Sequence, residues 1–79
     1  MDWRKYISVD PNVCHGKACF TGTRVLVSAI LDNLATGQTP EQIVENYPSL
    51  SVEEIRSALS YAAEIAGERV VSFPHAQAT

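Results

Sequence analysis

"TPEQIVENYPSLSVEEIRSALSYAAEIAG", residues 39–67, writes two helix starts in the same chemistry. Thr39 is placed as an N-cap, Pro40 suits the first helical position, and Gln42 completes a Thr-x-x-Gln capping box. Ser51 and Glu54 repeat the device as Ser-x-x-Glu, and Glu53 adds charge that the positive end of a helix favours. The first of these helices offers Ile43, Val44 and Tyr47 to a core and stops at Pro48. In the second, Val52, Ile55, Leu59, Ala62 and Ala66, widened by Ala58 and Ile65, make one apolar stripe. Glu53, Arg56, Ser57, Ser60 and Glu64 then fall on the solvent side.

Upstream, Ile30, Leu31 and Leu34 give one helical face starting from Val27, with an end near Ala35 and Gly37 as its cap. Three helices joined by the short links Gly37–Thr39 and Pro48–Ser51 permit a helix-turn-helix, the third helix in the recognition position. A plain three-helix bundle has the same spacing, and both readings stand. The first quarter is extended instead. "YISVDP" (6–11) and "ACFTGTRVLV" (18–27) favour strands, with turn chemistry at Pro11, Asn12 and Gly16 between them. Gly22 breaks the second strand through a positive φ or a bulge. A two-stranded ribbon is barely stable alone, so it packs on the helices or pairs with a second chain. The expected fold is mainly α: a three-helix, helix-turn-helix-like bundle with a short N-terminal β arm. The arm occupies residues 1–26, the trihelical domain 27–67, and a tail flexible at its end 68–79.

A chain of 79 residues buries only about 60% of its unfolded surface, which makes oligomerisation a natural supplement and a homodimer the expectation. "MDWRKYISVD" lacks the apolar segment of a signal peptide, and no run approaches the roughly 20 apolar residues of a membrane span. The reading is a cytoplasmic protein, away from membranes, with Cys14 and Cys19 reduced.

The net charge is −3, so any nucleic-acid contact has to come from a local cluster. Lys17 and Arg24, in "GKACFTGTRVLV" (16–27), supply one third of the Lys and Arg residues. That segment is no phosphate loop, because Gly16-Lys17 opens it and Gly22 is followed by Thr23-Arg24 rather than Lys-Ser/Thr. Cys14, His15, Cys19 and His75 are poor metal ligands as a set, since the fourth lies in the tail; partly buried thiols are the expectation. On an extended segment Cys14 and His15 point to opposite faces, which prevents a nucleophile–base pair. Glu53 and Glu54 read as capping residues. No catalytic set and no cofactor site is expected.

Asp10-Pro11, Gly16-Lys17, Gly22-Thr23-Arg24-Val25, Leu34-Ala35-Thr36-Gly37, Glu41-Gln42-Ile43, Tyr47-Pro48-Ser49-Leu50 and Ala58-Leu59-Ser60-Tyr61-Ala62 follow one another in unbroken order. In this the chain resembles the bacterial and archaeal family known as domain of unknown function 433. Ala18 and Leu26 stand where that pattern has proline, which loosens the arm. The resemblance implies a homeodomain-like trihelical fold and a VapB-type antitoxin that dimerises, binds operator DNA and restrains a PIN-like ribonuclease toxin. On that reading Lys17 and Arg24 contact DNA from the arm, supported by Arg56 on the third helix. The alternative is a protein-interaction module whose helix-turn-helix no longer reads DNA, with Val70, Val71 and Phe73 ordering against the partner. Two architectural readings also stand: Arg24 locks the arm through Asp10 or Asp32, and Val70, Val71 and Phe73 prolong the third helix.

Overall fold

The computed structural model describes residues 1–67. A single 3₁₀ turn, Trp3–Lys5, leads into β1 (Ile7–Ser8); a second, Cys14–Gly16, precedes β2 (Cys19–Phe20). Three helices follow: α1 (Val27–Ala35), α2 (Pro40–Asn46) and α3 (Val52–Gly67). The fold is mainly helical with a short N-terminal hairpin, as the sequence pattern predicts.

The strands pair antiparallel, Ile7 opposite Phe20 and Ser8 opposite Cys19. Two residues per strand cannot hold a ribbon in water. What holds it is the side chain of Phe20, fully buried among Ile7, Val27, Ile30, Ile43, Leu50, Ile55 and Ala58. Burying one such side chain stabilises by about 1.5–3 kcal/mol, more than the few ladder hydrogen bonds contribute. The ribbon packs on its own helices, one of the two arrangements the sequence left open.

After β2 the chain doubles back at Gly22, whose φ of +82° lies in the left-handed region that glycine tolerates. The Thr23 hydroxyl donates to the Phe20 carbonyl (2.7 Å) and accepts from the Val25 amide (3.1 Å), tying this turn together. The Phe20 amide reaches the Val25 carbonyl, and Cys19 bridges Leu26. The first amide of α1, on Val27, then donates to the Ala18 carbonyl at 3.1 Å. That bond satisfies one of the donors a helix start leaves open, where Leu26 offers no capping side chain.

Both capping boxes form. The Gln42 amide donates to the Thr39 hydroxyl and the Thr39 amide to Gln42 Oε1, at 3.2 and 2.8 Å. At the next start the Glu54 amide donates to Ser51 and the Ser51 amide to Glu54 Oε1, again at 3.2 and 2.8 Å. Gly37, at φ +99°, ends α1 as its cap.

The face of α3 differs from the expected stripe. Ile55 and Ala58 are buried, but Leu59 is 49% exposed and Ile65 45% exposed, while Ser57 is fully buried. The helix is turned so that the side bearing Tyr61 and Glu64 lies under the N-terminal segment and the Leu59 side faces out. Ser57 tolerates burial because its hydroxyl donates to the Glu54 carbonyl at 2.6 Å.

The cover is the Trp3–Lys5 turn. The Trp3 ring meets Tyr61 edge-on, with centroids 4.9 Å apart and an interplanar angle of 86°. Trp3 Nε1 donates to Glu64 Oε1 (3.2 Å), and the Arg4 guanidinium donates to Glu64 Oε2 (2.6 Å). Arg4 also stacks 4.4 Å from the centroid of the Trp3 ring. Charged Arg4 hydrogen-bonded to Glu64, then the Trp3 N–H, hold the Glu64 carboxyl below its ordinary pKa.

Candidate functional site

The residues singled out in the sequence lie on the ribbon and on α3. Lys17 follows the Cys14–Gly16 turn and is exposed. It borders an open groove of about 520 Å³ whose lining includes Val9, Ala18, Leu31 and Tyr61. Arg24, on the far limb of the Gly22 turn, is also exposed and borders a second groove of about 530 Å³ with Asp10, Cys19 and Thr23.

Neither cation forms an ion pair among the described residues, where the salt bridges are those of Arg4. The lock between Arg24 and Asp10 or Asp32 does not form. Asp10 is used locally: its carboxylate accepts the Asn12 amide at 2.8 Å and shapes the turn after β1.

Arg56 is exposed on α3 and lines neither groove. At about 100° per residue it lies about 140° around the helix from Tyr61, which borders the Lys17 groove. Lys17 and Arg24 therefore share the ribbon, while Arg56 belongs to a different face. Val70, Val71 and Phe73 lie outside the described residues.

The Cys14 segment is not extended. Cys14 and His15 have φ of +54° and +56°, left-handed values that cost a non-glycine residue about 1–3 kcal/mol. With Gly16 at +80° they make a tight turn instead of a strand. This turn carries Cys14 back to the ribbon, where its thiol reaches the Arg24 carbonyl at 3.6 Å and neighbours the side chain of Cys19. Cys19 is 1% exposed. Burial, followed by the adjoining Cys14, pushes its thiol pKa up; Ser8 and the positive charge of Arg24 oppose that rise. Both cysteines are free thiols. Among the described residues, no three His, Cys, Asp or Glu side chains gather as a metal would need.

At the start of α3, Glu54 is committed to its capping box, and Glu53 is exposed beside it. The link from α2 to α3 runs through Tyr47 and Leu50; the latter is buried at 3% exposure and pins the two helices together. No helix among the described residues is long and apolar enough to cross a membrane.

One contribution was not legible in the sequence, and another was legible but unassigned. Trp3 and Arg4 carry no motif, and only contact with α3 reveals their clamp. Thr23 did carry a signal, since it sits between Gly22 and Arg24 in the Gly-Thr-Arg pattern. Its role is to close the turn.

A family model described as protein of unknown function DUF433 matches residues 7–62, from β1 into the second half of α3. The chain belongs to the DUF433 family. A curated relative, the uncharacterized protein y4eO of Sinorhizobium fredii, is 36% identical over 59 residues, covering 75% of this chain and 27% of the relative. The chain thus spans about a quarter of that protein's length. The crystal structure of a DUF433 member protein from Anabaena variabilis superposes with a TM-score of 0.70 at 27% identity. That likeness covers 78% of this chain and 61% of the Anabaena chain. The ribbon with its two exposed cations therefore lies within the DUF433 region, as do the Gly22 turn and both capping boxes.

Proposed function

We propose that this DUF433 chain is a binding protein of the antitoxin type, a homodimer that contacts operator DNA through its ribbon and restrains a PIN-like ribonuclease. The observation that carries the DNA contact is the pair Lys17 and Arg24, both exposed and outside any ion pair among the described residues. On a chain of net charge −3, two such cations on one short ribbon are well placed for phosphates. A dimer doubles them, and most non-specific affinity for DNA comes from such contacts. The toxin and the homeodomain-like reading of α2 and α3 rest on the family resemblance.

The test is fluorescence anisotropy on the duplex upstream of the protein's own coding sequence, across a salt series. Lys17→Ala and Arg24→Ala are each expected to weaken binding on all sequences and to lower the salt slope by about 1 for every phosphate no longer neutralised. Arg56→Ala reports on the other face: weakening equal to that of Arg24→Ala moves the contact from the ribbon to α3. Absence of binding at low salt ends the DNA reading.

A second reading, a protein-interaction module that does not bind DNA, is favoured by the acidic start of α3. Glu53 and Glu54 lie where a recognition helix approaches phosphates, and carboxylates there repel them. The half-exposed Leu59 and Ile65 add apolar surface on the same helix. Co-purification from the native cell separates the readings. A small PIN-like nuclease recovered with the chain supports the antitoxin role, and DNA recovered alone supports a free-standing regulator. Deletion of residues 70–79 without loss of partner binding excludes capture through Val70, Val71 and Phe73.

A further inference from the structure

The two cysteines are five positions apart in sequence, a spacing that an extended segment would hold too far apart to join. The structure removes that obstacle. Left-handed Cys14 and His15, followed by Gly16, fold the chain back, and Cys14 Sγ comes to the Arg24 carbonyl. The same limb of the ribbon bridges Cys19 through Leu26, so both cysteines meet the segment 24–26, and their side chains are neighbours there. Their accessibilities differ. Cys14 is half-buried, whereas Cys19 lies behind it at 1% exposure.

We propose that Cys14 and Cys19 form a thiol-exchange modification site, in which Cys14 takes up a low-molecular-weight disulfide and Cys19 resolves it to an intramolecular disulfide. In the first step the Cys14 thiolate attacks one sulfur of a disulfide such as oxidised glutathione. A mixed disulfide forms on Cys14, and one glutathione thiolate leaves and takes a proton. In the second, the Cys19 thiolate attacks the Cys14 sulfur, the Cys14–Cys19 bond forms, and the second glutathione leaves as thiol. The protein loses two electrons and two protons, and one glutathione disulfide becomes two thiols.

The order of attack follows from access. Cys14 is the more accessible of the two thiols, and Cys19 is the buried neighbour that can displace the adduct. Burial also disfavours the Cys19 thiolate, which makes the second step the slower one near neutral pH and quickens it as the pH rises. The product closes a small loop around Gly16 and Lys17 and ties that loop to the strand next to Arg24. The chemistry does not depend on what the ribbon binds.

The experiment treats the full chain with oxidised glutathione near pH 8 and maps tryptic peptides without reduction. Trypsin cuts after Lys5, Lys17 and Arg24, so Cys14 and Cys19 fall in different peptides, 6–17 and 18–24. The expected product is a monomer lighter by about 2 Da, the mass of the two hydrogens removed, with those two peptides linked. Cys19→Ser is expected to retain glutathione on Cys14, and Cys14→Ser to react many-fold more slowly than the unaltered chain. The unaltered chain decides the matter even if either variant folds poorly. A stable glutathione adduct on Cys14, two thiols left free, or a disulfide between chains each overturns the site.

Discussion

The start of α3 and the start of the chain are held by opposite means. At α3, Ser51 and Glu54 exchange two hydrogen bonds across three residues. At the chain start, Trp3 and Arg4 are fixed by Tyr61 and Glu64, on the far half of α3. A cap of the first kind forms as soon as the local backbone turns, and its residue types announce it. A clamp of the second kind exists only once the helix has been placed against the ribbon, so no local pattern signals it. Between the two lies Phe20, a short-strand residue whose burial joins ribbon to bundle.

That contrast can be broken at its joint first. Phe20→Ala is expected to cost about 3–5 kcal/mol, the range for removing a buried aromatic side chain. A destabilisation of that size removes a large share of the stability of a domain of this length, as urea titration followed by far-UV circular dichroism will read. A cost under about 1 kcal/mol, against the transfer value for so buried a ring, would mean that the ribbon is dispensable to the helices. Trp3→Ala comes next, at about 1–2 kcal/mol, for the edge-on contact with Tyr61, the stacking of Arg4 and the hydrogen bond to Glu64. Thermal melts of that variant measure the distant clamp directly. Ser51→Ala and Thr39→Ala measure the local caps, at about 1 kcal/mol each, and are expected to add when combined.

The orientation of α3 gives a smaller and sharper test. Its sequence places Leu59 in the core stripe and Ser57 outside it, whereas the helix buries Ser57 and exposes Leu59. Leu59→Ala is accordingly expected to change the stability of the isolated chain by about 0.5 kcal/mol or less in the same urea titration. The apolar pattern is wide enough, through Ala58, Ala62 and Ile65, to allow more than one rotation. What selects between them is the Trp3–Lys5 turn, which needs Tyr61 and Glu64 beneath it. The helix boundaries were legible because Thr39, Ser51, Gly37 and Pro48 act within a few residues of themselves. The rotation of α3 and the meeting of Cys14 with Cys19 were not, because each depends on a segment the local pattern does not contain. At the candidate surface, Lys17 and Arg24 were legible as a pair of charges, and their sharing of one ribbon required the Gly22 turn.

The smallest effect belongs to the Arg4–Glu64 pair, which is exposed enough for water to weaken it. Glu64 has its pKa lowered in the fold from an ordinary 4.5, by Arg4 first and Trp3 second. Its contribution is therefore fully present above about pH 4.5 and is lost as the pH falls through the lowered folded value. Acid titration followed by the fluorescence of Trp3 is expected to show a loosening there. Glu64→Gln is expected to remove that part of the pH dependence while leaving the neutral form folded.

The pairing of Trp3 with Glu64 across a sequence separation of 61 also sets a schedule. During synthesis Trp3 is made well before Tyr61 and Glu64, which are among the last of the described residues to appear. Until then the ribbon has no α3 to lie on, and the indole waits in water while both capping boxes can already close. Closure of the clamp on α3 thus follows that of both caps, and a nascent chain halted before Tyr61 carries an unanchored tryptophan ahead of its ribbon.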